Sequence, residues 1–173
     1  MFDKILIATD GSPAAGKAIS TAADLAMKCQ SKLLIAHIML HGKVPEHYRD
    51  WAASEHLAEE PPIDPSVAEL RLSTGLSAGI GVDAYRSWQV FRVLGEHILS
   101  EAKNTASKAG CENVETILKE GDPAMEIAGI AETQNADLLI AGSRGLGGIG
   151  SVLLGSVSQK LLHLAPCSCL VVR

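Results

Sequence analysis

Short apolar runs alternate with stretches of helical periodicity along most of this chain, and few architectures accept that order. Lys4 to Thr9 is an apolar run ending in Asp10-Gly11-Ser12-Pro13, which predicts a buried strand, a turn, and Pro13 at the first position of a helix. From Ala14 to Cys29, Ala15, Ala18, Ile19, Ala22, Leu25 and Ala26 recur at helical spacing. Leu33 to Leu40 reads as a second strand, interrupted only by His37. Between Asp83 and Ala109, Tyr85, Trp88, Phe91, Leu94, Ile98, Ala102 and Ala106 step by three or four, a long amphipathic helix that Gly110 would end in a left-handed turn. Glu112 to Lys119 alternates loosely, as a strand near a sheet edge does. Asp122 and Pro123 suit the N-cap and first position of a helix running to about Gln134. Asp137 to Ala141 predicts a fourth strand, Ser156 to Leu164 a helix, and Ser168 to Val172 a fifth strand.

Strands alternating with helices in this way predict an α/β fold, an open parallel sheet with helices on both faces. In such sheets ligands sit at the carboxyl ends of the strands, where the strand order reverses. If the chain grows outward from strand one and then switches sides, strands one and four become neighbours, and Asp10 faces the loop that begins at Gly142. At 173 residues the whole chain, 1–173, fits one domain with a substantial core. Aromatics are 3% of the residues, so that core must be built from Leu, Ile, Val and Ala. Gly42 to Val82 is the irregular part, with Pro45, Pro61, Pro62 and Pro65, an acidic pair at Glu59-Glu60 and glycines from Gly75 to Gly81; it reads as an insertion at about 42–82.

Composition excludes some partners. A formal charge of -5 argues against broad contact with nucleic acid or an anionic membrane. The N-terminal apolar run is too short for a secretory signal, and no segment approaches the ~18 apolar residues of a membrane span, so the expectation is a cytoplasmic protein. Cys167 and Cys169 would share one face of the last strand; with no His-rich or second paired-Cys element nearby, they read as small buried hydrophobes rather than metal ligands.

The chemistry lies in Ala141-Gly-Ser-Arg-Gly-Leu-Gly-Gly-Ile-Gly-Ser-Val-Leu-Leu-Gly-Ser-Val-Ser158. Glycines let backbone N–H groups converge on an anion, and a helix N-terminus adds unpaired donors and a favourable dipole. No acidic residue follows Asp137, whereas Arg144, Lys160 and Arg173 are basic, and Ser143, Ser151, Ser156 and Ser158 add hydroxyls. Gly145, Gly147 and Gly150 match G-x-G-x-x-G, but after the fourth strand and with no downstream acidic residue, which is not the dinucleotide arrangement. The chain has no Gly-Lys-Ser or Gly-Lys-Thr and therefore no P-loop.

Gly142-x-x-Gly145, nine residues, then Gly155-Ser156 resembles the G-2x-G-9x-G-[S/T] pattern of ATP-binding universal stress proteins. The resemblance extends to Lys4-Ile-Leu-Ile-Ala-Thr-Asp-Gly-Ser12 and to Ala165-Pro-Cys-Ser-Cys-Leu-Val-Val172, and covers nearly everything except Gly42 to Val82. It implies a five-stranded sheet of order 3-2-1-4-5, of the adenine nucleotide alpha hydrolase-like type, and a homodimer along the last strand. By position it implies that Ala8, Thr9 and Asp10 meet adenine and ribose, and that Ile38 contacts adenine through its backbone. Ala141, Gly142 and Gly145 would line ribose and phosphates, Gly155, Ser156, Val157 and Ser158 would hold the phosphates, and Arg144 stands where the family often has Arg or His. The bound species would be ATP, ADP or AMP, with Mg2+ accompanying the nucleotide and Asp10 as its candidate protein ligand.

Against these roles stand blander ones. Asp10 also fits an Asx turn before Pro13, and His37 fits a satisfied core histidine better than a catalytic base. Lys160 and His163 fit the solvated face of a helix whose apolar stripe is Leu153, Val157, Leu161 and Leu164; Trp88 and Phe91 fit core or dimer contacts. The favoured function is an adenine-nucleotide-binding regulatory stress-response protein with at most slow hydrolysis and an unidentified protein partner, because phosphoryl transfer needs a positioned base and carboxylate-held metal, and Asp10 is the only acidic residue near the loop. The alternatives are a true ATP-dependent enzyme and a nucleotide-independent dimeric interaction protein.

Overall fold

The computed structural model describes residues 1–39, 80–146 and 154–173. The chain forms two compact units, Met1–Leu40 with Gly95–Arg173, and His41–Leu94, the latter described from residue 80 onward. Most of the expected insertion lies outside the described residues. Its last residues, Ile80, Gly81 and Val82, open the long helix, which begins three residues earlier than the apolar periodicity indicates.

The first unit is built on β1 (Lys4–Ala8), β2 (Lys32–Met39), β3 (Val114–Glu120), β4 (Leu138–Gly142) and β5 (Ser168–Val172), all parallel, in the order β3-β2-β1-β4-β5. The helices are α1 (Pro13–Cys29), α2 (Ile80–Lys108), α3 (Pro123–Thr133) and α4 (Ser156–Leu164), among the described residues. Side chains of a strand alternate between faces, and the central strands are apolar on both. Ile5, Ile7, Leu33, Ile35, Leu138 and Ile140 face α1 and the Gly95–Lys108 part of α2; Leu6, Leu34, Ala36 and Leu139 face α3 and α4. That double cover is why β4 is buried at every position. The largest fully buried side chains are all Ile or Leu, as the low aromatic content requires. On α1 the buried stripe is almost all alanine (Ala15, Ala18, Ala22, Ala23, Ala26), which lets the helix lie close to the sheet.

The two edges differ. β3 carries Glu115, Lys119 and Glu120, with Lys32 paired to Glu115 across to β2. β5 carries Ser168, Cys169, Leu170, Val171 and Val172, and Leu170 is 37% exposed. Cys167 and Cys169 pack against the α3–α4 core cluster. Burial there holds both thiols above the ordinary cysteine value. In the second unit the Arg92 guanidinium lies 5.7 Å from the centre of the partly exposed Trp88 ring, and Phe91 is buried. Among the described residues no helix is long and apolar enough to cross a membrane.

Candidate functional site

Strand order reverses between β1 and β4: the chain passes from β1 to β2 and β3 on one side, then returns to β4 and β5 on the other. The segments leaving β1 and β4 therefore flank one crevice at the carboxyl edge of the sheet. Ala8 ends β1, level with Ala36 on β2 and with Ala141 on β4. Ala141 and Ile38 are buried, and Ile38 lies opposite Lys119 of β3.

Asp10 forms the expected turn and also reaches the glycine loop. Its Oδ1 accepts the Ser12 N–H at 3.0 Å, an Asx turn, and its Oδ2 accepts the Leu146 N–H at 3.0 Å across the crevice. Ser12 is a residue the sequence reading passed over. Its hydroxyl caps α1 by accepting the Ala15 N–H at 3.2 Å and donates to the Arg144 carbonyl at 3.3 Å. The signal was present, since Ser before Pro at the start of an apolar-periodic stretch is an N-cap pattern. Asp10 and Ser12 thus hold the first turn of the glycine loop against β1.

Ser143 ties that loop to two further elements. Its N–H donates to the Val172 carbonyl at 2.6 Å, and its carbonyl accepts the Gly155 N–H at 2.7 Å. The buried Ser158 hydroxyl donates to the Gly142 carbonyl at 2.6 Å. Its hydrogen is therefore committed to the protein, and what Ser158 offers a ligand is its backbone N–H. The Arg144, Gly145 and Ser156 positions are exposed, and Val157 is half-buried against the core. Residues 147–153 lie outside the described residues, and with them Gly147, Gly150, Ser151 and Leu153.

The three glycines of the motif differ in what surrounds them. A Cβ on Gly142 would come within 2.9 Å of the backbone of Ala14 and Ala15, so only glycine lets the first turn of α1 rest on the end of β4. A Cβ on Gly145 would be driven into Asp10 Oδ2. At Gly155 the nearest atoms are 3.5 Å away, ordinary contact, and φ is -70°, which any residue adopts. Among the described residues nothing requires glycine at 155.

Gly155 is the N-cap of α4, and it makes no side-chain hydrogen bond to the helix. Two other helices start from the same edge of the sheet. Ser12 caps α1, and Asp122 caps α3 through the Ala124 and Met125 N–H groups, both at 3.0 Å. Among the described residues, only α4 of these three presents its first N–H groups without a side-chain partner, and its positive end faces the crevice. Lys160, one turn further along, pairs with Asp122 at 3.3 Å on the exposed side, and His163 is exposed.

His37 sits beside this edge. Its Nδ1 lies 2.8 Å from the Thr9 carbonyl. A carbonyl oxygen only accepts, so Nδ1 carries the proton. Burial pushes the imidazole below its ordinary 6.5, opposed by the Thr9 bond and by the charge of Asp10, so the ring is neutral near pH 7. It is a satisfied histidine.

The described residues do not assemble a resident metal site around Asp10. Among the described residues no group of three or more His, Cys, Asp or Glu side chains gathers, and both Asp10 oxygens already accept backbone N–H groups.

The sequence profile of the universal stress protein family matches residues 1–173. The chain belongs to the universal stress protein family. It is 32% identical over 184 aligned positions to the universal stress protein YxiE of Bacillus subtilis, covering 100% of both chains. Among solved structures, it is similar to the universal stress protein UspA of Lactobacillus plantarum, with a TM-score of 0.64 and 20% identity over 99% of this chain and 97% of that one. A universal stress protein in complex with cAMP matches with a TM-score of 0.61 and 22% identity, over 99% and 97% of the respective chains. At those identities the structural likeness speaks to the fold, and the universal stress protein fold has the β3-β2-β1-β4-β5 parallel sheet seen in this chain.

Proposed function

We propose that this universal stress protein binds an adenine nucleotide, ATP, ADP or AMP, at the carboxyl ends of β1, β2 and β4, with its phosphates against the N-terminus of α4. The single observation carrying this reading is the uncapped start of α4, where Gly155 leaves both the helix N–H groups and the space of a Cβ free beside an otherwise well-capped sheet edge. Such a terminus suits an anion. In this reading the N–H groups of Ser156, Val157 and Ser158 hold phosphate with Arg144 and Gly145 on the loop side, Thr9 and Asp10 lie beside the ribose, and Ile38 meets the base. Binding of cAMP by a relative of the same fold supports the choice of ligand class.

The role is regulatory, in stress response, with at most slow hydrolysis. Asp10 is the carboxylate the described site offers, and backbone donors already engage both its oxygens. Mg2+ would arrive on the nucleotide phosphates, with Asp10 as its nearest carboxylate. A cytoplasmic location fits a protein that reads ATP, and fits four free cysteines. The whole chain serves as one domain with 42–82 as an insertion, and two copies pair along the weakly charged β5 edge.

The test is calorimetry with ATP, ADP, AMP and NAD, together with mass spectrometry of nucleotide released from the purified protein by denaturation. Binding of the adenine mononucleotides in preference to NAD is expected. Tight binding of NAD without binding of ATP overturns the reading. Turnover near or above about 1 s⁻¹ would instead favour an ATP-dependent enzyme.

A further inference from the structure

Parallel strands share hydrogen bonds by alternation, and β2 shows which residue serves which neighbour. Leu33 N–H donates to the Asn113 carbonyl at 2.9 Å, on the β3 side, and the Ala36 carbonyl accepts the Thr9 N–H at 2.9 Å, on the β1 side. Odd-numbered residues of β2 therefore turn their main-chain polar groups to β3, and even-numbered residues turn theirs to β1. Ile38 is even-numbered. Its N–H and C=O point to the β1 side, at the carboxyl edge where the crevice lies.

In a continued ladder, the rung after Thr9 N–H to Ala36 O is Ile38 N–H to Thr9 O. The register instead ends at Ala8 and Ala36, and that rung is not formed among the described residues. The Thr9 carbonyl accepts from His37 Nδ1. The ring is clamped in place by α2: a Cβ on Gly95 would come within 3.0 Å of His37 Cδ2 and 2.7 Å of Leu118 Cδ1. Helix and sheet are so close there that the imidazole has little freedom to leave Thr9.

We propose that His37 is a positioning residue for the base-binding edge of this site: by occupying the Thr9 carbonyl it ends the β1–β2 ladder one rung early, leaving the Ile38 N–H for an acceptor nitrogen of a purine ring. The proposal rests on the nucleotide reading for its ligand, and on the β2 geometry alone for the state of Ile38. Without the imidazole donor, β1 and β2 zip one residue further, and the amide that should meet the base is spent inside the sheet.

Two substitutions separate the ring nitrogens. His37→Asn puts an amide nitrogen where Nδ1 stands and keeps the donor to Thr9, while His37→Gln puts it where Nε2 stands and loses that donor. His37→Leu removes it with little change of volume. Amide hydrogen exchange at Ile38, measured in nucleotide-free protein, should slow about tenfold in His37→Gln and His37→Leu and stay at the wild-type rate in His37→Asn. The dissociation constant for ATP should rise about tenfold in the first two and be restored in the third, one lost hydrogen bond's worth. A merely structural histidine would not produce that Asn-versus-Gln split. Equal Ile38 exchange in wild type and the Gln and Leu variants overturns the proposal, whatever ATP does. Failure of ATP to bind wild type overturns the functional reading, and the exchange experiment still decides the role of His37.

Discussion

Asp10 Oδ2 accepts the Leu146 N–H at 3.0 Å, and between them Gly145 has no room for a side chain because a Cβ would strike that same oxygen. The carboxylate and the glycine are one device. Asp10→Ala should release the turn at Arg144–Leu146: the Leu146 amide should exchange faster, and stability should fall by about 1 kcal/mol in urea unfolding. ATP affinity should fall with it. Unchanged Leu146 exchange would show that the turn stands without Asp10.

The three motif glycines should part company when each is changed to alanine. Gly142→Ala forces a methyl group against the α1 backbone and should cost about 1–3 kcal/mol of stability, read by urea unfolding. Gly155→Ala should leave stability within about 0.5 kcal/mol and weaken ATP binding about tenfold or more, read by calorimetry. Full ATP affinity in a well-folded Gly155→Ala protein would place the phosphates elsewhere.

Ser158→Ala removes the donor to the buried Gly142 carbonyl. The expected loss is about 1–2 kcal/mol, and Ser158→Thr should recover most of it, since the hydroxyl is retained. Thermal or urea unfolding of the two variants checks this. A loss confined to ATP binding, with stability intact, would instead assign the hydroxyl to the ligand.

Acid should destabilise the fold through His37. In the folded chain burial holds its pKa below 6.5, while in the unfolded chain the ring protonates near 6.5. The unfolded state then binds more protons, so this histidine makes stability fall as pH drops through about 6.5 toward the folded value, with no effect well above it. His37→Asn should flatten the slope between about pH 7 and 5.5 relative to wild type. Asp122 and Asp137, whose pKa values backbone N–H bonds hold below 3.8, act in the same direction but further down: their contribution is present above about 3.8 and is lost below it.

The β5 edge should respond to a charge. Val171→Lys in a strand that now offers Leu170, Val171 and Val172 should shift a two-chain assembly toward single chains or toward insolubility. Light scattering decides: a wild-type mass near the 18.2 kDa of one chain at micromolar concentration would rule out the pairing.

Most of the sheet was legible because its signals are local. Each strand is a short apolar run, and Pro13, Asp122-Pro123 and Gly110 mark helix ends within their own few residues. What remained hidden depends on approach between distant segments. Gly142 is glycine because of α1, the Ser158 hydroxyl is spent on a carbonyl on β4, and His37 serves Thr9 on the neighbouring strand. The stripe on α4 was legible only in part: Leu161 is buried and Val157 packs on the core, while Leu164, the last residue of the helix, is 41% exposed. The Asx turn of Asp10 was legible in Asp-Gly-Ser-Pro, whereas its second oxygen's bond to Leu146, 136 residues away, was not.

Ser143 joins the carbonyl of Val172 to the amide of Gly155, so the foot of the glycine loop hangs from the second-to-last residue of this sequence. Anything fused after Arg173 starts one residue beyond that anchor. A purification tag placed there would pull on the glycine loop, whereas one preceding Met1 leaves from the opposite edge of the sheet, where Asp137 holds the Asp3 and Lys4 amides.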